Sequence, residues 1–281
     1  MKIFINNYKK YLDEFLKKNY KFIKLNFINI DKYKNFNYQE KESPLHNSVE
    51  FLNKKFLDDL NFNSKILEIG CGAKSSILRS TNKYLIQKDG IDVQEYNSRG
   101  VKTLANIIGS VTNLPLRSKT YDYCISNQSI EHWYEYGVSL QKGISEISRV
   151  LKDKSGILII NFPLFLHGKK EFVQGNLEYI IFEISKYLKI INIDIVFSQK
   201  RKYLGWIKCN QTKFRVTKFL KKKKIKDNPY SIVCEIRAIK EDYKINKPQN
   251  NFSFIRRKLN MIKNYTLLEI FIKIFSKYFR N

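Results

Sequence analysis

The sequence predicts an α/β fold built on a doubly wound, mainly parallel sheet, with helical additions at both ends of the chain. Short apolar runs, each stopped by a glycine, an acid or a turn, alternate with longer stretches whose apolar residues have helical spacing. Such alternation is typical of parallel strands that are covered by helices on both faces. The length of 281 residues, of which 43% are hydrophobic, is sufficient to bury a full core.

The individual strands and helices follow from these runs. Apolar runs predict strands at 65–69, 85–92, 105–108, 121–126 and 156–162. Helical spacing predicts helices at 47–61, at 137–152 and around 171–188. Two further strand-like runs lie at 190–198 and 230–239. Together they give one sheet that extends over most of the chain.

The pattern divides the chain into three parts. Residues 1–45 are a basic N-terminal extension, expected to form a lysine-rich helix or two followed by an irregular stretch. Residues 46–240 form the main domain, with a basic insertion at 199–228. Residues 241–281 contain a polar linker and a basic amphipathic helix. The apolar face of that helix either lies on an anionic membrane surface or docks on protein.

The net charge of +26 suggests nucleic acid or an anionic membrane as a partner. However, lysine is spread along the whole chain, together with abundant Asn, Ile, Tyr and Phe, as a general compositional bias would produce. We therefore favour a local basic surface over a dedicated polyanion site.

The cysteines and apolar runs restrict the cellular setting. The four cysteines show neither C-x-x-C pairing nor metal-ligand spacing, so we expect reduced thiols and no metal site. No uninterrupted apolar run approaches the roughly 18 residues of a membrane-spanning helix. The first residues become charged too early for the apolar core of a signal peptide. The expected location is cytoplasmic, with or without contact at a membrane surface.

A glycine-rich turn follows the first strand of the main domain. Residues 68–72 read Glu-Ile-Gly-Cys-Gly, and positions without side chains let the backbone approach a ligand closely. The start of the following helix favours anionic groups. Glu68 is placed for an ammonium or a ribose group. The turn alone is also compatible with a nicotinamide site, although its spacing is not G-x-G-x-x-G because Ser75 takes the last position.

This turn resembles the first motif of class I S-adenosylmethionine-dependent methyltransferases, which has an acid, an apolar residue and then G-x-G-x-G. Lys74 replaces the third glycine. The resemblance implies a Rossmann-like sheet of the methyltransferase type with an antiparallel last strand, and S-adenosylmethionine as the cofactor. It also implies cofactor contacts from Glu68, Gly70, Cys71 and Gly72.

Later segments follow in the order of the same family. Asp92 ends a strand about 20 residues after the turn, where the family has an acid that receives the ribose hydroxyls. Ser110 stands where an aspartate usually meets the adenine amino group. Residues 121–132 resemble the fourth strand and its exit. By this resemblance, Ser110, Val111 and Asn127 join the cofactor site.

His132 and His167 are the candidate catalytic residues. An oxygen acceptor needs a base or a metal that takes its proton, and histidine titrates near neutrality. His132 follows the fourth strand and His167 the fifth, at the sheet edge where ligands bind in open α/β folds. The alternative is that His132 has no chemical role, since a Glu-His pair is common at this place in small-molecule methyltransferases.

The segments 162–176 and 203–206 resemble methyltransferases encoded among surface-polysaccharide genes. These often carry an H-x-H-G-H stretch, of which His167 is the one histidine present here. The resemblance implies O-methylation of a small molecule, a sugar or a glycan precursor.

Two alternatives remain open. The first is methylation of RNA or another polyanion, although both the Asn/Asp-Pro-Pro-aromatic turn of base-methylating enzymes and a Pro-Cys nucleophile are missing from the sequence. The second is a non-catalytic, methyltransferase-like scaffold. The sequence does not indicate an oligomeric state.

Overall fold

The computed structural model describes residues 2–20, 23–33, 36, 44–97, 99–164, 177–198 and 232–241. The helices within them are α1 (Lys2–Asn19), α2 (Pro44–Asp59), α3 (Ser76–Arg79), α4 (Leu140–Val150) and α5 (Leu177–Ser185). The strands are β1 (Lys24–Asn29), β2 (Ser64–Ile69), β3 (Leu85–Asp92), β4 (Ile107–Ile108), β5 (Tyr123–Asn127), β6 (Ile157–Pro163), β7 (Lys189–Phe197) and β8 (Val233–Ile239). Two 3-10 segments occupy Ile30–Lys32 and Ile130–Tyr136.

The described strands form one eight-stranded sheet in the order β1-β7-β8-β6-β5-β2-β3-β4. Strand β8 runs antiparallel to both of its neighbours, β6 and β7, and the other pairs are parallel. This confirms the predicted fold class and the antiparallel last strand. The carboxyl ends of β2, β3, β5 and β6 therefore lie along one edge of the sheet, where the candidate site is found.

Alternating residues of the strands face two separate helical layers. On one face, Leu67 and Leu158 pack in a cluster with buried side chains of α1, α4 and α5. On the other face, Ile66 and Ile159 pack with side chains of α2 and α3. Because both faces are covered, the central strands are nearly continuous apolar runs, which explains why the sequence pattern revealed them.

Helix α4 shows how local signals define an element. The Ser139 side chain accepts a hydrogen bond from the backbone N–H of Lys142 at 3.2 Å and caps the helix start. Its buried side, with Leu140, Ile144 and Ile147, has helical spacing and faces the sheet.

The N-terminal prediction needs a correction. Helix α1 confirms the expected helix, but the stretch after it is strand β1, which pairs in parallel with β7. Leu12 and Leu16 of α1 are buried in the main core. The boundary placed at residue 45 therefore does not separate an extension from the domain. The sequence concealed β1 because an edge strand is only partly buried and has no clear apolar alternation.

Other differences are smaller. The third predicted strand, 105–108, shortens to β4, because the side chain of Asn106 accepts the Gly90 N–H at 2.7 Å beside the ladder. His167, the basic insertion 199–228 and the C-terminal helix 253–281 lie outside the described residues. No helix in the described ranges is long and apolar enough to cross a membrane.

Candidate functional site

The glycine turn at the end of β2 has a backbone that favours glycine. Gly70 and Gly72 have φ values of +66° and +56°, a conformation that strains residues with a Cβ atom. A Cβ at Gly70 would lie 2.4 Å from Cβ of Ser129, whereas one at Gly72 would meet nothing within 4 Å. The Gly70 N–H donates to the carbonyl of Ile91 at 2.8 Å, which fixes the turn against β3. The turn is therefore held closely on one side and is open on the other.

Asp92 lies at the end of β3, next to this turn. One carboxylate oxygen accepts the backbone N–H of Gly72 at 3.0 Å, and the other accepts that of Gln94 at 3.2 Å. A carboxylate has lone pairs for further hydrogen bonds, so Asp92 can also accept from hydroxyl groups of a ligand.

A cavity of about 260 Å³ opens beside the turn and brings four predicted site residues together. They are Gly70, Asp92, Val111 and His132. The remaining residues that line it are Ile69, Ile91, Val93, Gly109, Gln128, Ser129, Trp133, Tyr136 and Val138. The cavity thus combines apolar walls with one carboxylate and one imidazole, as is typical of a small-molecule site.

Glu68 and Asn127 lie beneath the turn and do not line the cavity. Glu68 is 1% exposed, and its carboxylate accepts bonds from the Ser75 hydroxyl and, at 3.0 Å, from the Asn127 amide. Burial raises the pKa of Glu68 to about 7, against the lowering effect of these two donors. These two side chains support the turn from below, and their contact with a ligand stays a prediction.

Cys71 and Ser110 do not line the cavity either, and their contacts with the cofactor stay a prediction. The Cys71 thiol is buried on the side of Gly90, and its burial raises its pKa to about 12, so that it stays protonated at neutral pH. The Ser110 hydroxyl lies 3.0 Å from that of Thr112 and accepts the Thr112 N–H at 3.3 Å. Only the neighbours of Ser110, Gly109 and Val111, line the cavity.

Ser129 and Trp133 are site residues that the sequence reasoning missed. The Ser129 hydroxyl donates to the carbonyl of Ile69 at 3.1 Å and accepts the indole N–H of Trp133 at 3.2 Å. Trp133 packs on Gly143 of α4, where an added Cβ would lie 2.5 Å from its ring. A glycine inside an otherwise amphipathic helix was the available signal, since it often marks close packing.

Comparisons with known proteins relate part of this chain to a known family. Residues 67–160 match the family model described as "Methyltransferase domain". A comparison with curated proteins found no match.

Three solved structures illustrate the structural similarity. The YcgJ protein from Bacillus subtilis has 15% identity and a TM-score of 0.46, covering 70% of this chain and 100% of its own. A putative methyltransferase from Bacillus halodurans has 11% identity and a TM-score of 0.46, covering 69% and 98%. Phosphoethanolamine N-methyltransferase 2 from Haemonchus contortus, in complex with S-adenosyl-L-methionine, has 15% identity and a TM-score of 0.42, covering 70% and 53%.

The matched segment contains the glycine turn, Asp92, Val111 and His132, the residues that the fold brings to one cavity. Residues 67–160 match a methyltransferase domain, and the activity that this match indicates is S-adenosylmethionine-dependent methyl transfer.

Proposed function

We propose that this methyltransferase transfers the methyl group to a hydroxyl of a sugar or a glycan precursor. We choose an oxygen acceptor because of the position of His132, which lines the same cavity as Gly70 and Asp92. Loss of a hydroxyl proton must accompany methylation at oxygen, and an imidazole is the side chain best suited to take it near neutral pH.

The described residues fit the cofactor. S-adenosylmethionine supplies, when bound, an electrophilic methyl group on a sulfonium. The open space at Gly72 lets a ligand approach the backbone, and Asp92 retains lone pairs for two ribose hydroxyls. Val93 and Val111 give apolar walls for a flat base. The carboxylate of Glu68 favours a cationic group above the turn.

A sugar or glycan acceptor is supported by the sequence of segments 162–176 and 203–206, of which residues 165–176 and 203–206 lie outside the described residues. They include His167, which we propose as the second candidate base. The amphipathic tail 253–281 would suit an acceptor linked to a lipid at a membrane surface.

RNA or another polyanion is the alternative acceptor, and the net charge of +26 favours it. The lysine cluster Lys221–Lys224 lies in the basic insertion, outside the described residues. A non-catalytic scaffold is a weaker alternative, because the turn, Asp92 and the cavity are all present.

The first experiment is a calorimetric titration of the purified chain with S-adenosylhomocysteine, with NAD as the control. We expect micromolar binding of S-adenosylhomocysteine and no binding of NAD.

Transfer of a labelled methyl group from S-adenosylmethionine is then measured with sugar nucleotides, lipid-linked glycans and RNA as acceptors. Methylation of RNA alone would overturn the sugar proposal. Absence of binding by folded protein would favour the scaffold.

The role of His132 has its own test. We expect His132→Ala to reduce the turnover number about 100-fold or more, the usual contribution of a general base. His46→Ala is the matched control, because His46 lies on α2, 3.9 Å from Glu50, and does not line the cavity. Methyl transfer is measured with the acceptor found in the first experiment. Unchanged turnover in His132→Ala would leave His167 as the candidate base.

A further inference from the structure

A row of polar side chains crosses the sheet under α2, where apolar residues would be expected. Pairing of residues across the strands places Asn26 opposite Asp194, Asp194 opposite Glu235, and Asn161 opposite both Glu235 and Asn127. Paired residues share one face of a sheet. Asp194, Glu235 and Asn161 are each 0–1% exposed. The row leads from the edge strand β1 to the cofactor site.

The inner end of this row is a directed chain of hydrogen bonds. The Asn161 amide donates to the Asn127 side-chain oxygen at 2.5 Å, and the Asn127 amide donates to Glu68 at 3.0 Å. An ionised carboxylate only accepts hydrogen bonds, so Asn127 must turn its NH₂ group towards Glu68. The NH₂ group of Asn161 holds Asn127 in this orientation, because the opposite orientation would place two NH₂ groups against each other.

Asn161 makes a second contact with the site through its backbone. Its carbonyl accepts the N–H of Gln128 at 3.0 Å, and Gln128 lines the cavity with a φ of +51°. Asn161 therefore contacts the loop after β5 at two successive residues, Asn127 and Gln128.

Packing alone does not explain an asparagine at this position. Its side-chain oxygen is buried and has no hydrogen-bond partner among the described residues. An unsatisfied buried group of this kind costs about 1–3 kcal/mol. An apolar residue on β6 would avoid this cost, and the part of the Asn161 side chain that has a partner is its donor group.

We propose that Asn161 is a positioning residue for cofactor binding: it orients the Asn127 amide, which in turn stabilises the ionised Glu68 beneath the glycine turn. The proposal rests on the proposed function, since it concerns the affinity for a ligand with an ammonium group above Glu68. No contact between Asn161 and the ligand is required.

The expected consequence is a dependence on pH with a defined sign. The pKa of Glu68 is about 7 because burial raises it, while Ser75 and Asn127 lower it and Glu50 of α2 raises it by repulsion. The neighbouring Cys71 thiol stays neutral, since its pKa is about 12. The ammonium group of the ligand prefers ionised Glu68, so affinity is full above the pKa of Glu68 and falls as the pH decreases through it. Loss of the donor from Asn127 raises this pKa further.

The test is a calorimetric titration of the full chain with S-adenosylhomocysteine at several pH values. We expect Asn161→Leu to lose affinity about tenfold near pH 6 and very little near pH 9, which corresponds to a pKa increase of about one unit. Asn161→Val also lacks a donor group and suits a strand, so it should behave in the same way if the leucine variant does not fold. A purely structural role would reduce affinity by the same factor at every pH.

Asn26→Leu is the matched control. Asn26 lies on the same face of the sheet and donates to the buried Asp194 at 2.6 Å, but at the far end of the row. We expect it to lower thermal stability and leave the pH profile unchanged. A wild-type profile in both Asn161 variants would overturn the positioning role. Absence of binding by folded wild-type protein would instead overturn the proposed function, and this inference with it.

Discussion

Replacing Asp92 by alanine should weaken the binding of S-adenosylhomocysteine about 100-fold or more. Asp92 holds the Gly72 N–H at 3.0 Å and that of Gln94 at 3.2 Å, and its carboxylate lines the cavity. Hydrogen bonds to a charged group contribute about 1.5–3 kcal/mol each, so two lost ribose contacts give at least a hundredfold change. The loosened turn adds to this loss. Calorimetric titration measures it directly.

Asp89→Ala is the control for Asp92→Ala. Asp89 lies on the same strand but three residues earlier, on the opposite face, where it accepts bonds from Tyr121 and Asn106. We expect this variant to unfold at lower temperature and to bind the ligand with nearly normal affinity. If folded Asp92→Ala bound as tightly as wild type, the assignment of the ribose contact would be wrong.

The central part of the fold was predictable because its strands are buried on both faces. β2, β3, β5 and β6 appear in the sequence as apolar runs that end in a glycine, an acid or a polar turn. The edge strand β1 was not predictable in this way. Its sequence, KLNFIN, is mostly half-buried, and its partner β7 lies more than 160 residues away in the chain, as the Asn26–Asn192 pair shows.

The candidate site was predictable at the residues whose backbone or position determines their role. Gly70 and Asp92 could be inferred from a turn and from the end of a strand, and both line the cavity. The support of Glu68 by Asn127 and Asn161 could not, since it depends on the register between β5 and β6. One residue of shift in that register would turn Asn161 to the other face of the sheet.

Replacing Gly70 by alanine should abolish detectable cofactor binding and destabilise the chain. The backbone at Gly70 has a φ of +66°, and an added Cβ would lie 2.4 Å from Cβ and 2.7 Å from the hydroxyl of Ser129. Ser129 cannot move away without losing its bonds to Ile69 and Trp133. Backbone strain and overpacking each cost about 1–3 kcal/mol, so the free energy of unfolding should fall by about 2–6 kcal/mol.

Alanine variants of two other glycines separate backbone strain from overpacking. Urea unfolding measures their stability, and titration with S-adenosylhomocysteine measures their binding. Gly100 has a φ of +69°, no atom within 4 Å of an added Cβ, and a position away from the cavity, so Gly100→Ala reports backbone strain alone. Gly72 has the same open surroundings but lies inside the turn. Gly72→Ala should therefore lower the free energy of unfolding little more than Gly100→Ala does. It should still weaken binding, because its methyl group would enter the space of the ligand. Gly70→Ala should exceed both in lost stability. If it matched Gly100→Ala instead, contact with Ser129 would not be what holds the turn, and the cofactor site would depend on Asp92 and the strand ends alone.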